Sequence, residues 1–242
     1  MASKHESISD SLVEDILSGR YRAGERLPSE RDLAVRFDAN RGAVREAMKR
    51  LEQLGLTSIL PGGARVNPLE AASLDVVSHL LGRGDLPDED LVDQILTVVS
   101  GLVSIAADAV VQRANPGDIE QLRVLLQPLI NEELDPLAHQ NARFQLMGSI
   151  MELSGNLVCR LIARTLLEQL VPNMQGLEPY AQTELDRSAY KTSVSELDLA
   201  LAQADARGVR CALDDLSSLN RATVMRAFAA AKANGVTIKV AI

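Results

Sequence analysis

The chain has little with which to stack. Among 242 residues there are three Tyr, three Phe and no Trp. Binding sites for single-stranded nucleic acid rest on successive aromatic rings, so that class is excluded, as are sugar platforms built the same way. Cysteine and histidine are equally sparse, at two and three. Cys159 and Cys211 read as two small core residues in a reducing compartment rather than as a disulfide. His5, His79 and His139 are scattered, and a lone His makes a poor metal site, so no metal and no other cofactor is expected. Long uncharged runs are also missing. The longest, residues 95–107, is too short to cross a bilayer and reads as a helix buried on all sides. The opening "MASKHESISDSLVED" alternates charged and apolar residues where a signal peptide needs an apolar core, which predicts a cytoplasmic protein without membrane contact. Catalytic signatures are absent too. Ser193, Asp198 and His139 could be assembled into a triad on paper, but no nucleophile motif surrounds them, and neither a phosphate loop nor a paired-Cys motif occurs, so an enzyme is not expected.

What the chain does have is apolar residues, 46% of the total, and unevenly divided charge. Residues 1–66 hold eleven Lys and Arg against ten Asp and Glu, whereas the remainder holds fourteen against twenty-three, so the net charge of -8 belongs to the second part. A near-neutral segment still attracts a polyanion when its cations share one face.

The periodicity of the first part predicts three helices. The first runs from about Ser7 to Gly19 on the stripe Ile8, Leu12, Val13, Ile16 and Leu17. A turn over 21–27 leads to "LPSERDLAVRF", where Ser29 is a candidate N-cap and Asp32 can reach back in a weak capping box. "DAN", at 38–40, breaks that helix, and Asn40 caps a third over Arg41 to Leu54. Val44, Ala47, Met48, Leu51 and Leu54 make its buried stripe, leaving Arg41, Arg45 and Lys49 on the other side. "LTSILPGGARV" then reads as a hairpin turning at Pro-Gly-Gly. Two helices, a short turn, a third helix and a hairpin make a winged helix-turn-helix over residues 1–67.

From about residue 71 the pattern is helical throughout, with predicted helices at 71–81, 88–114, 116–133, 137–153, 155–171, 180–205 and 207–233, separated by stretches rich in Gly, Pro, Asn and Asp. Short connections favour an antiparallel bundle of six or seven helices over 68–236. The tail at 237–242 has β composition and no evident place.

A row of cations on an amphipathic helix often does no more than solvate it. Here the row lies on the helix that a helix-turn-helix inserts in the DNA major groove. Arg41 and Arg45 share one face, and an arginine fork matches guanine O6 and N7. Arg65 in the hairpin either touches phosphate or is solvated. A helical adaptor that binds protein through its first domain is the alternative to DNA binding.

"GRYRAGERLPSERDLAVRF" followed by "NRGAVREAMKRLEQLGL" resembles the DNA-binding domain of the GntR family of bacterial transcription regulators, in the FadR-type subfamily with its helical C-terminal (FCD) domain. The resemblance implies that Arg31, Arg41 and Arg45 contact double-stranded DNA, that Asn40 takes the family's usual Ser or Thr position, and that Gly62 lies at the wing tip. It also implies a homodimer on a palindromic operator. Asp38 departs from the family's usual Gly, and the wing is one residue shorter, with Pro61 where a donor could stand.

"LSGN" at 153–156 and "ALAQAD" at 200–205 match landmarks of the family's effector domain, where an Asp and a His four residues apart, with two later His, hold a divalent metal beside a carboxylate. In this sequence Asn141 and Gln145 are assigned to the first pair, and the later positions fall near Val194 and Leu216, so the resemblance implies a domain without metal. An apolar effector is then open, as in the members that respond to acyl-CoA, with a metal-dependent carboxylate sensor as the alternative. Tyr180 and Tyr190 are further candidates for hydrogen bonding to a ligand.

Overall fold

In the computed structural model, residues 3–82, 86–131 and 133–236 are described. They form two compact units, one over 3–82 and one over 86–236.

In the first unit, α1 (Lys4–Leu17) starts ahead of the expected Ser7 because Ser3 caps it. The Glu6 N–H donates to the Ser3 hydroxyl, and the Glu6 carboxylate accepts the Ser3 N–H at 2.6 Å. α2 (Glu30–Arg36) is capped by Ser29, as its sequence predicts; the Asp32 carboxylate, however, accepts the Ser29 hydroxyl at 2.6 Å instead of its N–H. Asp38 then turns the chain with φ of 44°, in the left-handed region that Asp tolerates better than most side chains. The Asp that stands where the resemblance leads one to expect Gly is accommodated in this conformation. α3 (Arg41–Gln53) follows, with the Asn40 Oδ1 accepting the Ala43 N–H at 2.8 Å.

β1 (Thr57–Leu60) and β2 (Gly63–Val66) pair antiparallel, with Leu60 opposite Gly63 and Pro61-Gly62 at the tip. Gly62 has φ of 107°, closed to most side chains. The segment 24–27, expected only as a turn, lines the other edge of β2. The Gly24 and Leu27 N–H groups donate to the carbonyls of Val66 and Ala64, at 2.8 and 3.0 Å. A 3-10 turn (Leu69–Ala71) and α4 (Val76–Leu81) complete the unit, with α4 packing on α1. The expected boundary after residue 67 therefore lies inside this unit. Gly55 explains the close return: its φ is 72°, and a Cβ there would sit 2.5 Å from the Ala71 carbonyl oxygen.

Leu12 of α1, Leu33 of α2 and Val44, Ala47 and Leu51 of α3 meet in a core with no exposed surface. Each buried Leu or Val stabilises it by about 1.5–3 kcal/mol. Asp15, nearly buried, ties α1 to α2 through Arg36 at 2.6 Å and also holds Arg20 at 2.7 Å.

The second unit is a helical bundle of α5 (Glu89–Arg113), α6 (Pro116–Ile130), α7 (Pro136–Leu153), α8 (Leu157–Asn173), α9 (Glu178–Glu184), α10 (Arg187–Ala202) and α11 (Ala206–Ala233), with a 3-10 turn (Gln175–Leu177) before α9. The single helix expected over 180–205 is two, because Asp186 caps a fresh start by accepting the Ala189 N–H at 2.9 Å. α5 packs against α7, α8 and α11 and is long and apolar enough to cross a membrane. It is not buried on all sides as its composition predicts: Val98 and Ile105 are about half exposed. Of the two cysteines, both free, Cys159 is in the core and Cys211 is at the surface, which corrects its core assignment. The 237–242 tail lies outside the described residues.

Candidate nucleic-acid interface and ligand cavity

α3 sorts its residues by period. Val44, Ala47, Met48 and Leu51 are buried against α1 and α2, and Arg41, Arg45 and Lys49 are exposed together on the opposite face. Asn40 is exposed at the start of this helix, and no acidic residue occupies its first turn, so the positive end of the helix dipole is left uncompensated. Arg31 is exposed in the first turn of α2.

The cations differ in their partners. Arg45 forks onto Glu30, with Nε 3.3 Å from Oε1 and Nη2 3.2 Å from Oε2. This contact raises the Arg45 pKa above its ordinary value, first through the hydrogen bonds and then through the charge of Glu30. Both side chains are well exposed, 60% and 41%, and a pair so bathed in water opens readily when a phosphate or base competes. Lys49 pairs with Glu46 at 2.9 Å in the same exposed manner. Among the described residues, Arg31 and Arg41 make no ion pair.

At the wing, Gly62 stands exposed at the tip, with open space around it. Arg65 donates from Nη1 to the Gly24 carbonyl at 2.9 Å and lies beside Arg26 across a β-bridge. Arg26 is packed over Gly63, where a Cβ would come within 2.8 Å of its Nε. Sequence reasoning missed both Arg26 and Glu30. Their roles come from pairing over long sequence separation, which no local period announces.

The bundle holds a cavity of about 220 Å³, partly open to solvent, between α5, α7, α8, α9, α10 and α11, lined chiefly by Leu, Val, Ile and Met side chains. Of the sequence candidates, Tyr190 and Leu216 line it. Val194 is fully buried without reaching it, and Tyr180, on α9, does not line it either, although its neighbours Ala181 and Gln182 do. Asn141 and Gln145 are exposed on the outer side of α7, so their assignment to the cavity is corrected. The α7 residues that do face the cavity include Gln140, Arg143, Met147 and Ile150. Among the described residues no cluster of three His, Cys, Asp or Glu is placed to hold a metal ion.

One wall of the cavity is polar. Arg143 donates from Nη1 to the Asn220 Oδ1 at 2.7 Å, and its guanidinium carbon lies 5.9 Å from the centre of the Tyr190 ring. Its Nε is buried without a hydrogen-bond partner. Burial draws the Arg143 pKa below its ordinary value and pushes that of Tyr190 up, since both charged forms are poorly solvated here. His139 is buried edge-on to Tyr190, with ring centres 5.2 Å apart. Burial first, then the charges of Arg143 and Arg187, bring its pKa down to about 4. Asp198, of the paper triad, is engaged by Arg123 at 2.7 Å.

Residues 4–66 match the family profile of the bacterial regulatory proteins, gntR family. Over 223 residues, 91% of each chain, the protein is 29% identical to the HTH-type transcriptional regulator Mce2R of Mycobacterium tuberculosis. It is 27% identical to the HTH-type transcriptional regulator LutR of Bacillus subtilis over 141 residues, 58% of this chain and 64% of that one. Among solved structures, Lar of Listeria monocytogenes, which controls expression of the agr system, aligns with a TM-score of 0.54 at 17% identity, covering 93% of this chain and 98% of that one, a likeness of fold alone. Residues 4–66 thus form a gntR-family DNA-binding domain, in a chain similar over most of its length to an HTH-type transcriptional regulator.

Proposed function

We propose that the protein acts as a FadR-type homodimer, each protomer laying α3 in the major groove of one half of a palindromic operator. Arg41 and Arg45 read base edges, Arg31 joins them from α2, and Asn40 and Lys49 position the helix on the backbone. Gly62 lets the wing tip approach the duplex, and Arg65, with Arg26 beside it, meets phosphate. The reading rests on one observation above the others: three cations stand exposed on the side of α3 opposite its buried stripe. To read bases, Arg45 exchanges Glu30 for the operator. The helical unit binds a small metabolite without metal in the α7 cavity, and occupancy changes operator affinity by linkage.

A mobility-shift titration tests this reading. Specific binding to a selected palindrome falls steeply with added salt, by a slope proportional to the phosphates neutralised, and a cavity ligand changes the midpoint. Binding that ignores both salt and sequence would favour a protein-binding adaptor instead.

A further inference from the structure

The tip of the hairpin is apolar where a DNA-binding wing has use for donors. Ile59 and Leu60 are about half exposed, and Pro61 and Gly62 are exposed beyond them. The core of the unit closes without these side chains, since Leu12, Leu33, Val44 and Leu51 are already sealed from water. No side chain from Leu60 to Ala64 carries a hydrogen-bond donor, and Pro61 has no N–H. In the minor groove an A·T pair offers only acceptors, so side-chain hydrogen bonds from this tip cannot read it.

The strand register gives the apolar tip cationic flanks. Leu60 pairs with Gly63 and Ser58 with Arg65, so Leu60 and Arg65 lie on one face of the hairpin. Arg26 packs over Gly63, the residue opposite Leu60, and adds a second guanidinium. Among the described residues neither cation makes an ion pair, and Arg65 is steadied by the Gly24 carbonyl. Two free cations beside a hydrocarbon edge are complementary to a groove with phosphates along its rim and stacked bases within. β1 follows α3 after a short turn and packs against it, which sets the tip beside whatever groove α3 enters.

We infer that the wing is a wedge that bends the operator. Arg26 and Arg65 hold phosphates at the rim of the minor groove next to the major groove occupied by α3, and Pro61 with Leu60 presses between two base pairs there and partly unstacks them. The deformation costs least at flexible pyrimidine–purine steps, so the wing selects sequence through stiffness, at base pairs that no donor touches. Leu60 and Pro61 are then specificity-determining residues that act on the shape of the duplex.

The inference rests on α3 lying in the major groove, and the test separates the two ideas. The full-length protein is bound to an operator duplex selected from random sequence, and the bend is read by energy transfer between dyes at the two ends of the duplex. The expected result is a bend of about 20–90° towards the major groove, with the double variant Leu60→Ser, Pro61→Ser losing most of it and about tenfold in affinity. Two further arms use the unmodified protein alone, so misfolding of the variant leaves the test intact. Replacing the pyrimidine–purine step that flanks the α3 half-site by a purine–purine step is expected to weaken binding by about fivefold or more. A 2-aminopurine placed at the original step is expected to brighten as its neighbour is unstacked. A straight duplex in a specific complex, a bend that survives the double variant, indifference to the flanking step, or unchanged 2-aminopurine emission would each overturn the wedge and leave the reading by α3 standing. Absence of any specific binding would remove both. Should the double variant weaken self-association while the bend persists, the tip is covered by a second copy of this chain, and the wedge is overturned.

Discussion

The outer face of α3 and the polar wall of the α7 cavity are both built around arginine, in opposite circumstances. Arg45 is exposed and paired with Glu30, so its charge is stabilised twice over before any ligand arrives. Arg143 faces a largely apolar cavity and, among the described residues, makes no ion pair. Water makes the first pair weak and exchangeable, which suits a surface that must accept many phosphates and discriminate among bases. Its scarcity around Arg143 makes the charge there costly to hold. The same side chain is easily kept charged in one region and costly to keep charged in the other because the solvent around it differs.

The sharpest way to break this contrast is to remove what holds each arginine in place. Leu51 has no exposed surface, so Leu51→Ala leaves a cavity beneath the cationic face and costs about 2–5 kcal/mol. Thermal or urea melting is expected to show that loss together with weakened operator binding. On the other side of the comparison, Arg143→Met is expected to stabilise the ligand-free protein by about 1 kcal/mol or more, as when buried charges give way to hydrocarbon, and to raise the melting temperature by a few degrees. A fall in melting temperature would mean that Arg143 is structurally satisfied.

His139 supplies a pH test of the same wall. Its folded pKa of about 4 lies below the ordinary 6.5, so the unfolded chain binds more protons between those values. Stability from this group is therefore complete above pH 6.5 and is lost as pH falls towards 4. His139→Phe, which keeps a ring against Tyr190, is expected to flatten that part of the curve while leaving the neutral range alone. The smallest effect belongs to the α3 surface. Lys49→Ala is expected to leave sequence preference unchanged and to lower the salt dependence of DNA binding by about one ion released.

The two regions also differ in how much of them could be read from sequence. α3 was legible because one side is strongly apolar and the other strongly charged, with Asn40 marking its start, so the period alone separates Val44 and Leu51 from Arg41 and Arg45. α7 was not. "PLAHQNARFQLMGSIMEL" carries apolar residues around most of its circumference, so its composition does not say which of Asn141 and Gln145 or Arg143 and Met147 look inward; only packing against α5, α6 and α8 decides. The break between α9 and α10 escaped for a similar reason, since "TELDRS" contains neither Gly nor Pro and the interruption rests on the cap at Asp186. Glu30 opposite Arg45 and Arg26 beside Arg65 depend on tertiary pairing, which local spacing does not encode.

The central claim is that Arg41 and Arg45, held outward by the buried side of α3, read DNA sequence. Selecting bound duplexes from a random pool with the unmodified protein, and again with the double variant Arg41→Ala, Arg45→Ala, tests it most directly. The account predicts a palindromic consensus for the first and, for the second, loss of that consensus with specific affinity down by on the order of 10- to 100-fold or more at unchanged fold. The same consensus recovered at the same affinity by both proteins would contradict it.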